Sequence, residues 1–203
     1  MFKETIPPEE IELLPLAAFP GKITVITGPG PDLDHAVEHL AAQRLIGFDT
    51  ETKPTFQAHQ PRHSTALLQL SSETEAFLFR LHSLGLPQKI ADILSARHIT
   101  KIGAAVGEDI HGLQRYLPFE PHRFMDLQPF GEQYGIQEKS VRKMAAIILG
   151  QKVSKAQQCS NWEADPLSDA QILYAATDAW ICVMMYKALL AAPQEAHTRR
   201  IQP

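Results

Sequence analysis

From Leu45 to Glu51 the chain reads LIGFDTE, an apolar run that ends abruptly in two acids, Asp49 and Glu51. In a strand, positions i and i+2 point to the same face. Both carboxylates therefore project from one side, with Thr50 turned to the other. Like charges held that close are costly unless something positive lies between them or water reaches them. Two folds satisfy the stretch: an acidic strand end turning into solvent through Thr52-Lys53-Pro54-Thr55, or a buried strand whose acids hold a cation.

The surrounding pattern supplies a sheet for that strand. Lys22 to Thr27 (KITVIT) reads as a short strand closed by a Gly28-Pro29-Gly30-Pro31 turn, which lacks the residues of a phosphate-binding loop. Leu33, Ala36, Val37, Leu40 and Ala41 have helical spacing and lead into the organising strand. Ala66–Leu70 and Ala76–Leu81, separated by polar residues, form a hairpin pattern and with Leu45–Glu51 predict an antiparallel meander. Helices (88–96, 108–117) then alternate with strands (99–104, 123–127), which predicts parallel additions. The expected fold class is α/β, a mixed sheet flanked by helices. Residues 1–20, broken by Pro7, Pro8, Pro15 and Pro20, read as an arm. Residues 21–192 form the expected domain, and 193–203 a tail.

The last element begins at Ser168-Asp169-Ala170-Gln171, a capping box with Pro166 ahead of it. From Ala170 to Tyr186 it carries a single charge, Asp178, and is apolar or small on both sides, as a buried helix is. A lone buried carboxylate must be paired, protonated or bound to metal. Tyr174 stands one turn earlier, on the same face.

Composition excludes several classes. The chain is 44% hydrophobic and 21% charged, which fits one soluble domain. No apolar run is expected to reach the roughly 20 residues that cross a bilayer, and the acidic, proline-bearing start is unlike a secretory signal. Cys159 and Cys182 suggest neither a disulfide framework nor a zinc pair, so a reducing cytoplasm is the simplest context. A net charge of −4 argues against coating nucleic acid by bulk attraction, but not against meeting it locally through bound metal. His35/His39 and His59/His63 have i,i+4 spacing. The first pair reads as an exposed helix face, the second contains Pro61, and neither reads as a metal site.

Asp49, Glu51, Asp109 and Asp178 gain meaning from their order. The chain resembles the DEDD superfamily of metal-dependent 3′–5′ exonucleases, which have a ribonuclease H-like fold. Asp49 and Glu51 in GFDTE match the first motif, Asp109 in KIGAAVGEDIHGL the second, and Tyr174 with Asp178 in LYAATDAW the third. The tyrosine indicates the DEDDy subgroup. Ala66-Leu67-Leu68-Gln69-Leu70 looks like that family's second strand. Cys159-Ser160-Asn161-Trp162 through Gln171 looks like the segment before motif three in ribonuclease D and the Werner-type exonuclease domain. The likeness spans roughly residues 22–192. The chain ends about 25 residues after Asp178, which leaves no room for the helical domains that follow in ribonuclease D.

The resemblance implies two divalent ions, Mg²⁺ or Mn²⁺, and a nucleic acid with a free 3′ end, DNA favoured, losing 5′-mononucleotides. It implies that Asp49 bridges both ions, Glu51 and Asp178 complete the first site, Asp109 supports the second, and Tyr174 orients the attacking water. Lys53, Arg62 and His63 beside motif one, and Lys139, Arg142, Lys143, Lys152 and Lys155 before motif three, are candidate phosphate contacts. Trp162 is a candidate for stacking on a base, with packing as the competing role. The alternatives are an RNA-trimming exoribonuclease and a catalytically silent binding module of the same fold.

Overall fold

The computed structural model describes residues 2–55 and 63–193. Six strands form one sheet: β1 (Lys22–Ile26), β2 (Leu45–Thr52), β3 (Thr65–Ser71), β4 (Glu75–Arg80), β5 (Thr100–Gly103) and β6 (Phe124–Asp126), in the order β1-β4-β3-β2-β5-β6. β2, β3 and β4 are the expected antiparallel meander, and β5 and β6 add to it in parallel. β1 lies parallel to β4 at the far edge, a pairing for which the sequence reading had no signal.

Eight helices are described: α1 (Pro8–Glu12), α2 (Pro31–Ala41), α3 (Leu81–Leu84), α4 (Gln88–Ser95), α5 (Val106–Gln114), α6 (Leu127–Glu132), α7 (Val141–Leu149) and α8 (Asp169–Ala191). Leu81 opens α3 instead of ending β4. α5 begins two residues earlier than Glu108, entered through Ala105 in a left-handed conformation at φ 59°.

Strand alternation sorts the layers. Ile46 and Phe48 pack with Leu33, Leu40, Ile90 and Leu113 of α2, α4 and α5. On the other face, Leu67 and Leu78 pack with Ala175 of α8, and Ile102 with Ile181 and Met185. α8 is 23 residues long with a mean hydropathy of 1.3, so by length and composition it could cross a membrane, contrary to the expectation that no run would. Its apolar surface is instead covered by the sheet and by α7. Its start is the expected capping box, with Ser168 and Gln171 bonded reciprocally.

The arm is packed down. Ile6, Ile11, Ala17 and Phe19 are buried. Ala17 N donates to Lys152 O at 2.8 Å, Lys152 N donates to Pro15 O at 2.9 Å, and Phe19 N donates to Thr177 Oγ1 at 3.0 Å. The arm thereby fixes the segment that carries Lys152 to Lys155.

Candidate active site

The site forms where both layers meet the C-terminal end of β2. Gly47, Asp49 and Glu51 share one strand face, and that face lies under α8. At Gly47 a Cβ would come within 1.9 Å of Ala179 O, so only glycine lets the helix backbone descend onto the strand. That contact sets Asp178 beside Asp49. Asp178 is buried, and the Tyr174 hydroxyl one turn earlier lies close enough to favour its charged form.

Asp109 arrives from the opposite layer, in the first turn of α5. Thr50, pointing away from Asp49 and Glu51, donates from Oγ1 to Asp109 Oδ1 at 2.5 Å. Gly112 permits the approach of α5, since a Cβ there would meet Thr65 Oγ1 at 2.5 Å. Asp49, Glu51, Asp178 and Tyr174 thus share one cleft, with Asp109 held across the strand by Thr50.

Electrostatics show what the cluster lacks. Burial, then repulsion from Asp178 and Asp109, raises Asp49 well above the usual carboxylate range. Burial and the charges of Asp49, Asp178 and Asp109 push Glu51 up to about 10. Burial lifts Asp178 to about 7 against the opposing effect of the Tyr174 hydroxyl. Asp109 is raised to about 6, again mainly by burial. The Tyr174 phenol is also raised, by burial and by these charges. Among the described residues, none of the four acids makes an ion pair with Lys, Arg or His. A half-buried set of oxygen donors without a paired cation suits a hard divalent ion.

Asp49, Glu51, Tyr174 and Asp178 line a cleft of about 480 Å³, together with Lys155 and Gln158. Thr50 and Asp109 face an adjoining hollow of about 590 Å³, with Lys53, His63 and Arg115 on its walls.

The expected strand contacts divide. Lys155 is exposed in the cleft, and no ion pair to it is found among the described residues. Lys53 Nζ and His63 Nδ1 reach Glu163 at 3.0 and 3.3 Å, so both are already engaged with a carboxylate. Lys139, Arg142, Lys143 and Lys152 pair with Glu132, Glu12, Glu138 and Glu12. Arg62 lies outside the described residues. Trp162 is fully buried and packs 5.9 Å from the Tyr174 ring, so it backs the tyrosine and offers no face to a base.

Sequence reasoning missed Gln69 and Arg80. Gln69 stands directly across from Asp49 in the ladder, fully buried, with neither amide atom hydrogen-bonded among the described residues. Arg80, 2% exposed, donates to Ala164 O at 2.5 Å and so docks the segment leading into α8. A polar residue inside an otherwise apolar strand was the available signal for both.

Comparison with known proteins identifies the family and the fold. A family model described as 3′–5′ exonuclease matches residues 30–192. The chain is 26% identical to an exonuclease mut-7 homolog of Drosophila melanogaster, over 93% of this chain and 34% of that protein. It is 30% identical to the mouse bifunctional 3′–5′ exonuclease/ATP-dependent helicase WRN, over 87% of this chain and 13% of that protein. It thus spans about a third or less of these relatives. Among solved structures, Escherichia coli RNase D superposes with a TM-score of 0.73 at 24% identity, covering 83% of this chain and 44% of that one. The fold is accordingly ribonuclease H-like, and the chain belongs to the 3′–5′ exonuclease family.

Proposed function

We propose that this chain hydrolyses the terminal phosphodiester at the 3′ end of nucleic acid, DNA by preference, and releases 5′-mononucleotides. The observation that carries the reading is the convergence of four carboxylates from two layers, Asp178 buried and the other three half-buried, with Tyr174 one turn from Asp178 in the same cleft. Asp49, Glu51, Asp109 and Asp178 would hold two divalent ions, Mg²⁺ or Mn²⁺. When bound, such ions generate hydroxide from water near neutral pH and stabilise charge on the attacking and leaving oxygens.

The chain's own residues do the rest. Thr50 holds the Asp109 carboxylate in place through its hydroxyl. Tyr174, its pKa raised, keeps its proton; beside Asp178, its hydroxyl would orient a water. It is a positioning group and not a general base. Lys155, exposed beside the acids, is placed to meet a backbone phosphate. Two free cysteines fit a reducing cytoplasm.

The preference between DNA and RNA is the open branch of the proposal, since the relatives include both a helicase-linked exonuclease and a ribonuclease D, the latter 27% identical over 86% of this chain. Oligonucleotides of one sequence, 5′-labelled and differing only in the 2′-hydroxyl, decide it when digested with Mg²⁺ or Mn²⁺. Faster metal-dependent laddering of DNA is expected. Faster laddering of RNA would make the chain an exoribonuclease, and binding without cleavage of either would make it a silent module.

A further inference from the structure

A second set of metal-type donors lies at the other end of the sheet. The register Gly47↔Ser71↔Ala76 aligns the start of β4 with the start of β2, whereas the acids leave the finish of β2. Glu75, at that start, lies beneath α2. His35 Nε2 is 2.8 Å from Glu75 Oε2, and His39 Nδ1 is 3.2 Å from Glu75 Oε1. The ligand atoms of all three residues fall within 4.8 Å of one another. The sequence reading placed these histidines on an exposed helix face. The His39 side chain is in fact only 17% exposed, against 43% for His35.

The spacing suits a small four-coordinate ion. Ligands about 2.0–2.1 Å from a tetrahedral centre stand about 3.3 Å apart, close to the two His–Glu75 separations, and the two imidazole ligand atoms lie within 4.8 Å of each other. Two imidazoles and one carboxylate favour zinc and its first-row neighbours over magnesium. The cluster is also backed by outer contacts of the kind that orient ligands. Ser72 Oγ meets His39 Nε2 at 2.8 Å, and Ser72 is itself fixed by the N–H groups of Thr74 and Glu75 at 3.1 and 3.0 Å. With Nε2 engaged, Nδ1 is turned toward Glu75. The Phe77 ring packs against both imidazoles, at 5.8 and 5.5 Å.

One charge opposes a cation. Lys22 Nζ lies 3.9 Å from Glu75 Oε2, on a side chain 65% exposed. It is free to swing into water, and its removal should favour binding.

We propose that His35, His39 and Glu75 form a transition-metal site of the zinc class, water completing its shell, that clasps α2 to the β3–β4 turn. The ion would bind the unprotonated ligating nitrogen of each imidazole and the Glu75 carboxylate. Because only the folded chain presents the three donors together, the ion also stabilises the fold. None of this depends on the nuclease reading.

The test uses Zn²⁺ alone, titrated calorimetrically and counted by elemental analysis after dialysis. The full chain carries Asp49→Asn and Asp178→Asn, so that the acid cluster contributes little. One equivalent is expected, with a rise in unfolding temperature and, on Co²⁺ substitution, the visible absorption of four-coordinate cobalt. His39→Asn and Glu75→Gln should each weaken binding by about tenfold or more, and Lys22→Gln should tighten it. Glu75→Gln is isosteric, and circular dichroism checks that it folds, so it decides the matter even if His39→Asn does not fold. Failure to retain zinc, or equal retention with and without Glu75, would overturn the site.

Discussion

Thr50 Oγ1 donates to Asp109 Oδ1 at 2.5 Å, and this bond joins the organising strand to an acid from the opposite layer. Strand alternation sends Asp49 and Glu51 toward α8 and Thr50 toward α5, so one tripeptide addresses both sides of the cluster. Thr50→Val keeps the shape and removes the donor. Loss of such an outer contact costs about 10–100-fold in activity or metal affinity. The expected result is a drop of that size in exonuclease rate, partly recovered at high Mn²⁺, with unchanged unfolding temperature. An unaltered rate would remove Thr50 from the mechanism.

Gly47 should tolerate no side chain. A Cβ within 1.9 Å of Ala179 O forces α8 away from β2, and Asp178 moves with it. Gly47→Ala is expected to cost about 1–3 kcal/mol by overpacking and to reduce activity more than its stability loss explains. Denaturant unfolding beside a rate measurement below the unfolding transition separates the two effects.

Stability of the metal-free protein should fall as pH rises. Unfolded carboxylates titrate near about 4, whereas in the fold Asp109 is raised to about 6, Asp178 to about 7 and Glu51 to about 10. Across that window the folded state binds more protons than the unfolded chain, so the slope of unfolding free energy with pH is negative. Glu75 and Glu163, held low by their histidine and lysine partners, titrate beneath the window. In EDTA the unfolding temperature is expected to drop from about pH 5 to about pH 8, and Asp178→Asn should flatten the trend. Mn²⁺ should stabilise more at the higher pH, because ligands must be deprotonated to bind it. A rising temperature in EDTA would contradict the acid cluster as described.

Lys155 should act on the strand and not on the chemistry. Lys155→Ala is expected to raise KM for single-stranded oligonucleotides with little change in kcat, and to lower the salt slope of binding by about one. Lys53→Ala should do less, because Lys53 is already paired with Glu163. Fluorescence anisotropy against salt concentration measures both.

Asp49, Glu51 and Asp178 were readable because they broke a local rule, as charges ending an apolar strand and one charge in an apolar helix, whereas Asp109, an ordinary acid in a first helical turn, was not. Their meeting was readable only through the order of three motifs. What stayed hidden depends on partners distant in sequence. Thr50 looked like a spectator, Gly47 and Gly112 gave no sign of which backbone they admit, and nothing near Lys53 or His63 announced Glu163. For Trp162 packing was the favoured reading over stacking on a base, and the residue is buried behind Tyr174. Whether the proline-broken arm packs on the domain was not legible, because its contacts are backbone bonds and buried Ile6 and Ile11, which no local pattern encodes.

The most direct measurement compares the native chain with Asp49→Asn on 5′-labelled and 3′-labelled single-stranded DNA, with Mg²⁺, Mn²⁺ or EDTA, and identifies the released product. The expected result is stepwise shortening from the 3′ end to 5′-mononucleotides, abolished by EDTA. In the folded variant it should be reduced more than about a hundredfold, beyond the range of an outer contact. Equal activity of Asp49→Asn, or cleavage that persists in EDTA, would contradict catalysis at the acid cluster.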